Sequence, residues 1–102
     1  MLQSYLMQQN QITINSKVIA SKEQISCDLN DETVILSLPQ GAYYGLNPVG
    51  ANIWDLIKKP ILVSDLLNVL LQEYETNEQE CKRDLIKLLE DLKTNSLIEI
   101  VN

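Results

Sequence analysis

The chain has 102 residues, enough for one domain with a modest core, and its 45% hydrophobic and 22% charged residues, with three Gly and three Pro, are the balance of a packed globular protein. Fourteen acidic against eight basic residues give a net charge of −6, and histidine is absent, which excludes imidazole acid–base catalysis, Ser-His and Cys-His nucleophile pairs and the common zinc sites. The longest apolar runs, Thr33 to Leu38 and Ile61 to Val63, fall far short of the roughly 20 residues that cross a bilayer, so no membrane span is expected.

From Met1 to Ser21 the chain is polar and rich in Gln and Asn. Residues 1–17 read as a loose N-terminal arm carrying one short alternating piece, Gln11-Ile12-Thr13-Ile14-Asn15, with the domain proper over 18–102. Met1 to Asn10 has neither the basic start nor the apolar centre of a signal peptide, which points to the cytoplasm. Cys27 and Cys81 lie far apart, form no CxxC motif and fall on apolar faces; the expectation is two buried free thiols.

Gln24 to Leu29 alternates, with Ile25, Cys27 and Leu29 on one face, and predicts a first strand. After the Asn30-Asp31 turn signal, Thr33 to Leu38 predicts a second, with Val34, Leu36 and Leu38 on one face and Thr33, Ile35 and Ser37 on the other. Pro39-Gln40-Gly41 turns the chain into a short aromatic strand, Ala42 to Leu46, which closes an antiparallel meander as its edge.

Three helices follow. Asn47 caps the first, Pro48 occupies its first turn, and Pro60 ends it; Ser64 is expected to cap a second running to Tyr74. Asn77, with Glu80 three residues on, opens the third and longest, to Thr94. At 100° per residue, Cys81, Leu85, Leu88 and Leu92 cluster within about 60° and are expected to face the core. Ser96 to Val101 reads as a closing strand. The fold class is α+β and winged-helix-like: a three-stranded antiparallel sheet, three helices and a short C-terminal strand.

The most specific stretch is Asp31 to Asn52, with Tyr43-Tyr44-Gly45-Leu46-Asn47-Pro48-Val49-Gly50-Ala51 at its centre, continued by Ile53-Trp54-Asp55-Leu56. It resembles the PqqD family, the small peptide-chaperone domains also called RiPP recognition elements. The resemblance extends through Val63-Ser64-Asp65-Leu66 and through Leu85, Leu88, Leu92 and Leu97, covering about residues 18–101. It implies a module without chemistry or cofactor of its own that captures the leader of a ribosomally made precursor peptide. It is most similar to the stand-alone leader-binding proteins of lasso-peptide clusters, which work beside a cysteine leader peptidase and a cyclase; the alternative partner is a radical SAM enzyme. The chain holds no CxxxCxxC motif and no phosphate loop, so any chemistry belongs to a partner.

Strand addition is the capture mode that the sequence supports, since an edge strand exposes unpaired N–H and C=O groups that an extended peptide can satisfy. The candidate peptide-binding residues are Ala42, Tyr43, Tyr44, Gly45 and Leu46 on the edge. On the third helix they are the flank of Lys82, Ile86 and Leu89, with Leu85 between and Asp84 as a contact if the helix turns the other way. Tyr44 also reads as a core cover, and Asn47, Pro48, Gly50 and Trp54 as architectural. A winged-helix DNA-binding regulator is the distant alternative; a net charge of −6, with four bases in the long helix, opposes phosphate binding, and no nucleic-acid partner is expected.

Overall fold

The computed structural model describes residues 11–29 and 32–101. The Asn30-Asp31 turn and residues 1–10 of the expected arm lie outside the described residues. The described elements, in chain order, are β1 (Lys17–Ala20), β2 (Gln24–Leu29), β3 (Glu32–Ser37), β4 (Ala42–Leu46), α1 (Pro48–Leu56), β5 (Ile61–Leu62), α2 (Val63–Glu73), α3 (Glu78–Thr94) and β6 (Ile98–Val101). The α+β order of a three-stranded meander, three helices and a closing strand stands. A second small sheet joins it, because the closing strand finds its partner in β1: the strand order is β5-β1-β6 in one sheet and β2-β3-β4 in the other, antiparallel throughout.

Local chemistry explains most boundaries. The Asn47 side chain accepts the Gly50 N–H at 2.9 Å and Pro48 fills the first turn of α1, as expected. Asn77 likewise accepts the Glu80 N–H at 2.8 Å at the start of α3. Ser64 does not cap α2: the helix begins at Val63, two residues earlier than a Ser64 cap would set it, with Leu62 at the cap position and no side-chain cap bond. The N–H groups of Val63 and Ser64 instead donate to the carbonyls of Ser16 and Ile14, at 2.9 and 3.0 Å. The alternating piece 11–15 forms no strand, yet Ile12 is 3% exposed and belongs to the core, so the described part of the arm lies docked against the helices.

The core is built from Val18, Ile35, Trp54, Ile57, Leu66, Leu89 and their neighbours. Two points differ from the sequence reading. Cys27, expected to be buried, is exposed with Ile25 and Leu29 on the outer side of the meander, whose inward residues on β3 are Thr33, Ile35 and Ser37. In α3 the buried positions are Leu85, Leu89 and Leu92; Cys81 and Leu88 are only half-buried, so the helix is rotated by some tens of degrees from the expected arc.

That rotation makes Leu89 a core residue. We expect Leu89→Ala to cost about 3 kcal/mol of stability in chemical denaturation, from lost burial and the cavity left behind. Cys27→Ser, at an exposed site, should change it by less than about 0.5 kcal/mol.

Candidate functional site

Between β4 and α3 runs a groove of about 520 Å³ with mostly apolar walls. Tyr44, Gly45 and Leu46 form its β4 side, and Cys81, Asp84, Leu85 and Leu88 its α3 side. The spacing 81, 84, 85, 88 is one helical stripe, which is why four residues of one element line one wall. Val49 and Ile53 of α1 and Leu70 of α2, with Tyr74 beyond it, close the end where α1 approaches β4.

The frame of the groove is tied at both ends. In the β3–β4 turn, the Gln40 side-chain amide donates to the Thr94 carbonyl at 3.1 Å and to the Ser96 hydroxyl at 3.2 Å, fastening the turn to the C-terminal end of α3. At the other end Gly50 brings α1 against β4: a Cβ there would meet Leu46 Cδ2 at 3.1 Å and Leu46 Cβ at 3.3 Å. The Asn52 side-chain amide donates to Glu73 Oε2 at 2.6 Å and to the Tyr74 hydroxyl at 3.2 Å, linking α1 to the end of α2 beside the groove.

β4 pairs with β3 along one side, and in the order β2-β3-β4 its other side has no strand partner among the described residues. It therefore presents unpaired main-chain donors and acceptors along the groove. The alternation of the strand divides its side chains. Tyr44 and Leu46 turn to the groove and core, whereas Tyr43 is 75% exposed on the opposite face, opposite Leu36. A Cβ at Gly45 would meet nothing within 4 Å, so packing inside the protein does not require glycine there, whereas a second backbone approaching β4 benefits from it.

Of the expected residues the structure brings Tyr44, Gly45, Leu46, Asp84 and Leu85 around one groove, with Ala42 and Tyr43 on the same strand outside its lining. Lys82, Ile86 and Leu89 are not on it: Leu89 is fully buried, and Ile86 packs against the core on the flank turned away from the groove. The cause is the docked segment ahead of β1. The Ile12 N–H donates to Glu90 Oε2 at 2.8 Å, and the other oxygen of Glu90 pairs with Lys93 at 3.1 Å, so the chain itself meets α3 at Glu90, on the side away from the groove. Asn47, Leu88 and Tyr74 also line the groove and were not expected to. A rotated helix signals Leu88 in the sequence, because it follows Cys81, Asp84 and Leu85 on the same stripe; Tyr74 carries no such signal.

The groove is apolar with a negative border. Burial raises the Tyr44 phenol above its ordinary value, and the nearby carboxylate of Asp91 adds to the rise. Burial likewise pushes the Cys81 thiol up, with Asp84 as the second cause. Both groups stay neutral at pH 7, and neither is activated as a nucleophile or base. No set of three His, Cys, Asp or Glu side chains among the described residues is placed to hold a metal, and no described helix is long and apolar enough to cross a membrane. The arrangement is suited to holding an extended apolar segment by its main chain.

The family model for coenzyme PQQ synthesis protein D (PqqD) matches residues 32–98. A solved structure described as "TbiB1 in Complex with the TbiA(beta) Leader Peptide" is 31% identical to this chain, with a TM-score of 0.73, covering 79% of this chain and 94% of that one. A second, "Lasso peptide synthetase B1 complexed with the leader peptide", is 24% identical with a TM-score of 0.71, covering 80% and 96%, and is evidence for the fold. No curated protein matches the chain.

The electrostatics of the groove can be checked directly. In an NMR pH titration, Asp91→Asn should lower the pH at which Tyr44 ionises while leaving it above the ordinary phenol value, since burial, the larger cause, remains. Because the folded state holds this proton more tightly than the unfolded chain, its contribution to stability is complete below about pH 10 and is lost as pH rises through the raised Tyr44 value.

Proposed function

The chain belongs to the PqqD family, and on that premise we propose that it is a non-catalytic adaptor that binds the leader of a ribosomally synthesised precursor peptide and presents it to processing enzymes. The observation that carries this reading is the free edge of β4 lying across an apolar groove from α3. The leader adds to Ala42–Leu46 as a strand, drawing affinity from main-chain hydrogen bonds. Its inward side chains meet Tyr44, Leu46, Leu85 and Leu88, and Asp84 borders them. The binding unit is the domain over 18–102, with Ile12 docked onto it.

Lasso-peptide maturation is the preferred setting: the 31% identical chain, solved with a leader peptide, supports leader binding, and the setting itself follows the description of the 24% identical structure as lasso peptide synthetase B1. A separate cysteine leader peptidase and a cyclase are then the cytoplasmic partners. The PqqD match accommodates the alternative equally, a radical SAM enzyme as the partner. The absence of histidine and the neutral groove residues support a role without catalysis. The acidic balance of the chain speaks against nucleic acid as a ligand.

Titration of fluorescently labelled leader from the precursor encoded beside this gene tests the reading. Saturable binding is expected, with none to duplex DNA at physiological salt; DNA binding without leader binding would refute it. Leu88→Asp should weaken leader binding by about 1–3 kcal/mol by placing a charge in the apolar groove. Ile86→Ala, on the far flank, should leave the affinity within about twofold of the parent.

A further inference from the structure

The two walls of the groove differ in charge. β4 carries no charged residue, and Asp84 is the one charged residue among the described residues that line the groove. At 100° per residue, Asp84 and Asp91 share the lip of α3 just outside Leu88, whereas Arg83 and Lys87 lie at the solvent pole of the helix and Lys82 on the flank beyond. Asp91 is near enough to Tyr44 to add to the rise that burial gives its phenol, and Asp84 does the same for the Cys81 thiol. Both carboxylates therefore border the space between β4 and α3, and the helix carries its bases elsewhere.

Neither carboxylate is neutralised to any extent within the protein. Arg83 lies 3.8 Å from Asp84, but the two side chains are 72% and 76% exposed, where an ion pair contributes little. Asp91 forms no ion pair among the described residues. Water solvates both carboxylates while the groove is open. A peptide strand laid between β4 and α3 removes part of that water, and a carboxylate that loses solvent costs free energy unless a cation or a hydrogen-bond donor replaces it. An all-apolar ligand leaves that cost standing, and an acidic one adds repulsion. A leader with Lys or Arg beside its apolar anchor removes both.

Spacing sharpens the requirement. Asp84 and Asp91 are separated by two helical turns of α3, about 10 Å along its axis, with Leu88 between them on the apolar side. In an added strand the side chains facing α3 recur at every second residue, so the two such neighbours of an apolar residue seated on Leu88 span about 13 Å. Lys and Arg have stems long enough to close the difference while keeping their charged heads at the wet lip of the groove. We propose that Asp84 and Asp91 select leaders with the pattern basic-x-apolar-x-basic, the apolar residue seated against Leu88 and one cation on each carboxylate. The pattern reads the same in both directions, so it holds for a parallel or an antiparallel leader strand. The inference rests on the strand-addition reading above.

The test uses the full chain and the fluorescently labelled leader of the precursor encoded beside this gene. The leader segment that binds, mapped by truncation, should carry the pattern, and its affinity should fall as salt rises. Replacing both leader bases with Glu should weaken binding by about tenfold or more, and Asp84→Lys/Asp91→Lys in the protein should recover most of that loss. Asp84→Asn/Asp91→Asn should melt at the parental temperature, bind the unaltered leader about threefold or more weakly, and lose most of the salt dependence. Glu23→Gln/Glu99→Gln, which removes the same charge away from the groove lining, should stay within about twofold of the parental affinity. An equal loss in that control would assign the effect to net charge and overturn the proposal. Parental binding by the Asp84/Asp91 variant, or a binding segment without the two bases, would overturn the charge selection and leave the adaptor reading intact. A parent that binds no leader would overturn both.

Discussion

The rotation of α3 about its own axis is the constraint on which the binding groove depends. It is set from two sides. Leu85, Leu89 and Leu92 are buried together, and the segment ahead of β1 covers the neighbouring flank through Ile12 and its hydrogen bond to Glu90. A rotation of one residue's arc would carry Leu89 out of the core and Leu88 into it, exposing a side chain worth about 2 kcal/mol of burial and breaking the Ile12–Glu90 contact. With the helix held in this orientation, Cys81, Asp84 and Leu88 can only look across at β4. The site is thus a consequence of core packing elsewhere.

The same logic explains why the edge of β4 stays available. An exposed edge invites aggregation, and proteins commonly cover or break such edges. Here the ties made by Gln40 at one end and by the close approach of Gly50 to Leu46 at the other hold α3 and β4 in a frame with space between them. Asp84 and Asp91 give the groove a negative border without filling it. The chain leaves main-chain hydrogen-bonding capacity unused and surrounds it with apolar surface, a combination suited to an extended peptide and poorly suited to a phosphate backbone.

The parts readable from sequence were those decided by local chemistry. Asn47-Pro48 and Asn77 announced two helix starts, and the turn at Pro39-Gln40-Gly41 announced β4 as an edge. What sequence could not provide was decided by contacts between distant residues. Ile12 sits in a polar stretch that gives no hint of docking, yet it is buried and its N–H reaches Glu90, on the side of α3 away from the groove. The apolar arc of α3 runs from Cys81 and Leu88 past Leu89, so periodicity alone left its centre undetermined, and a small error there exchanges the two flanks. In β3 both faces are apolar enough to be the inner one; the choice fell on Thr33, Ile35 and Ser37, leaving Cys27 and Ile25 outside. Ser64 lost its capping role because carbonyls of residues 14 and 16 reached the first N–H groups of α2.

The central claim is that the leader is held as an added strand on β4. Its most direct test is a binding scan with leader peptides carrying a single N-methyl group at successive positions. An added strand points its amides alternately toward and away from β4, so affinity should fall sharply at every second position across the paired segment and stay near the parental value between them. Uniform tolerance of N-methylation, with binding governed by side chains alone, would contradict the account.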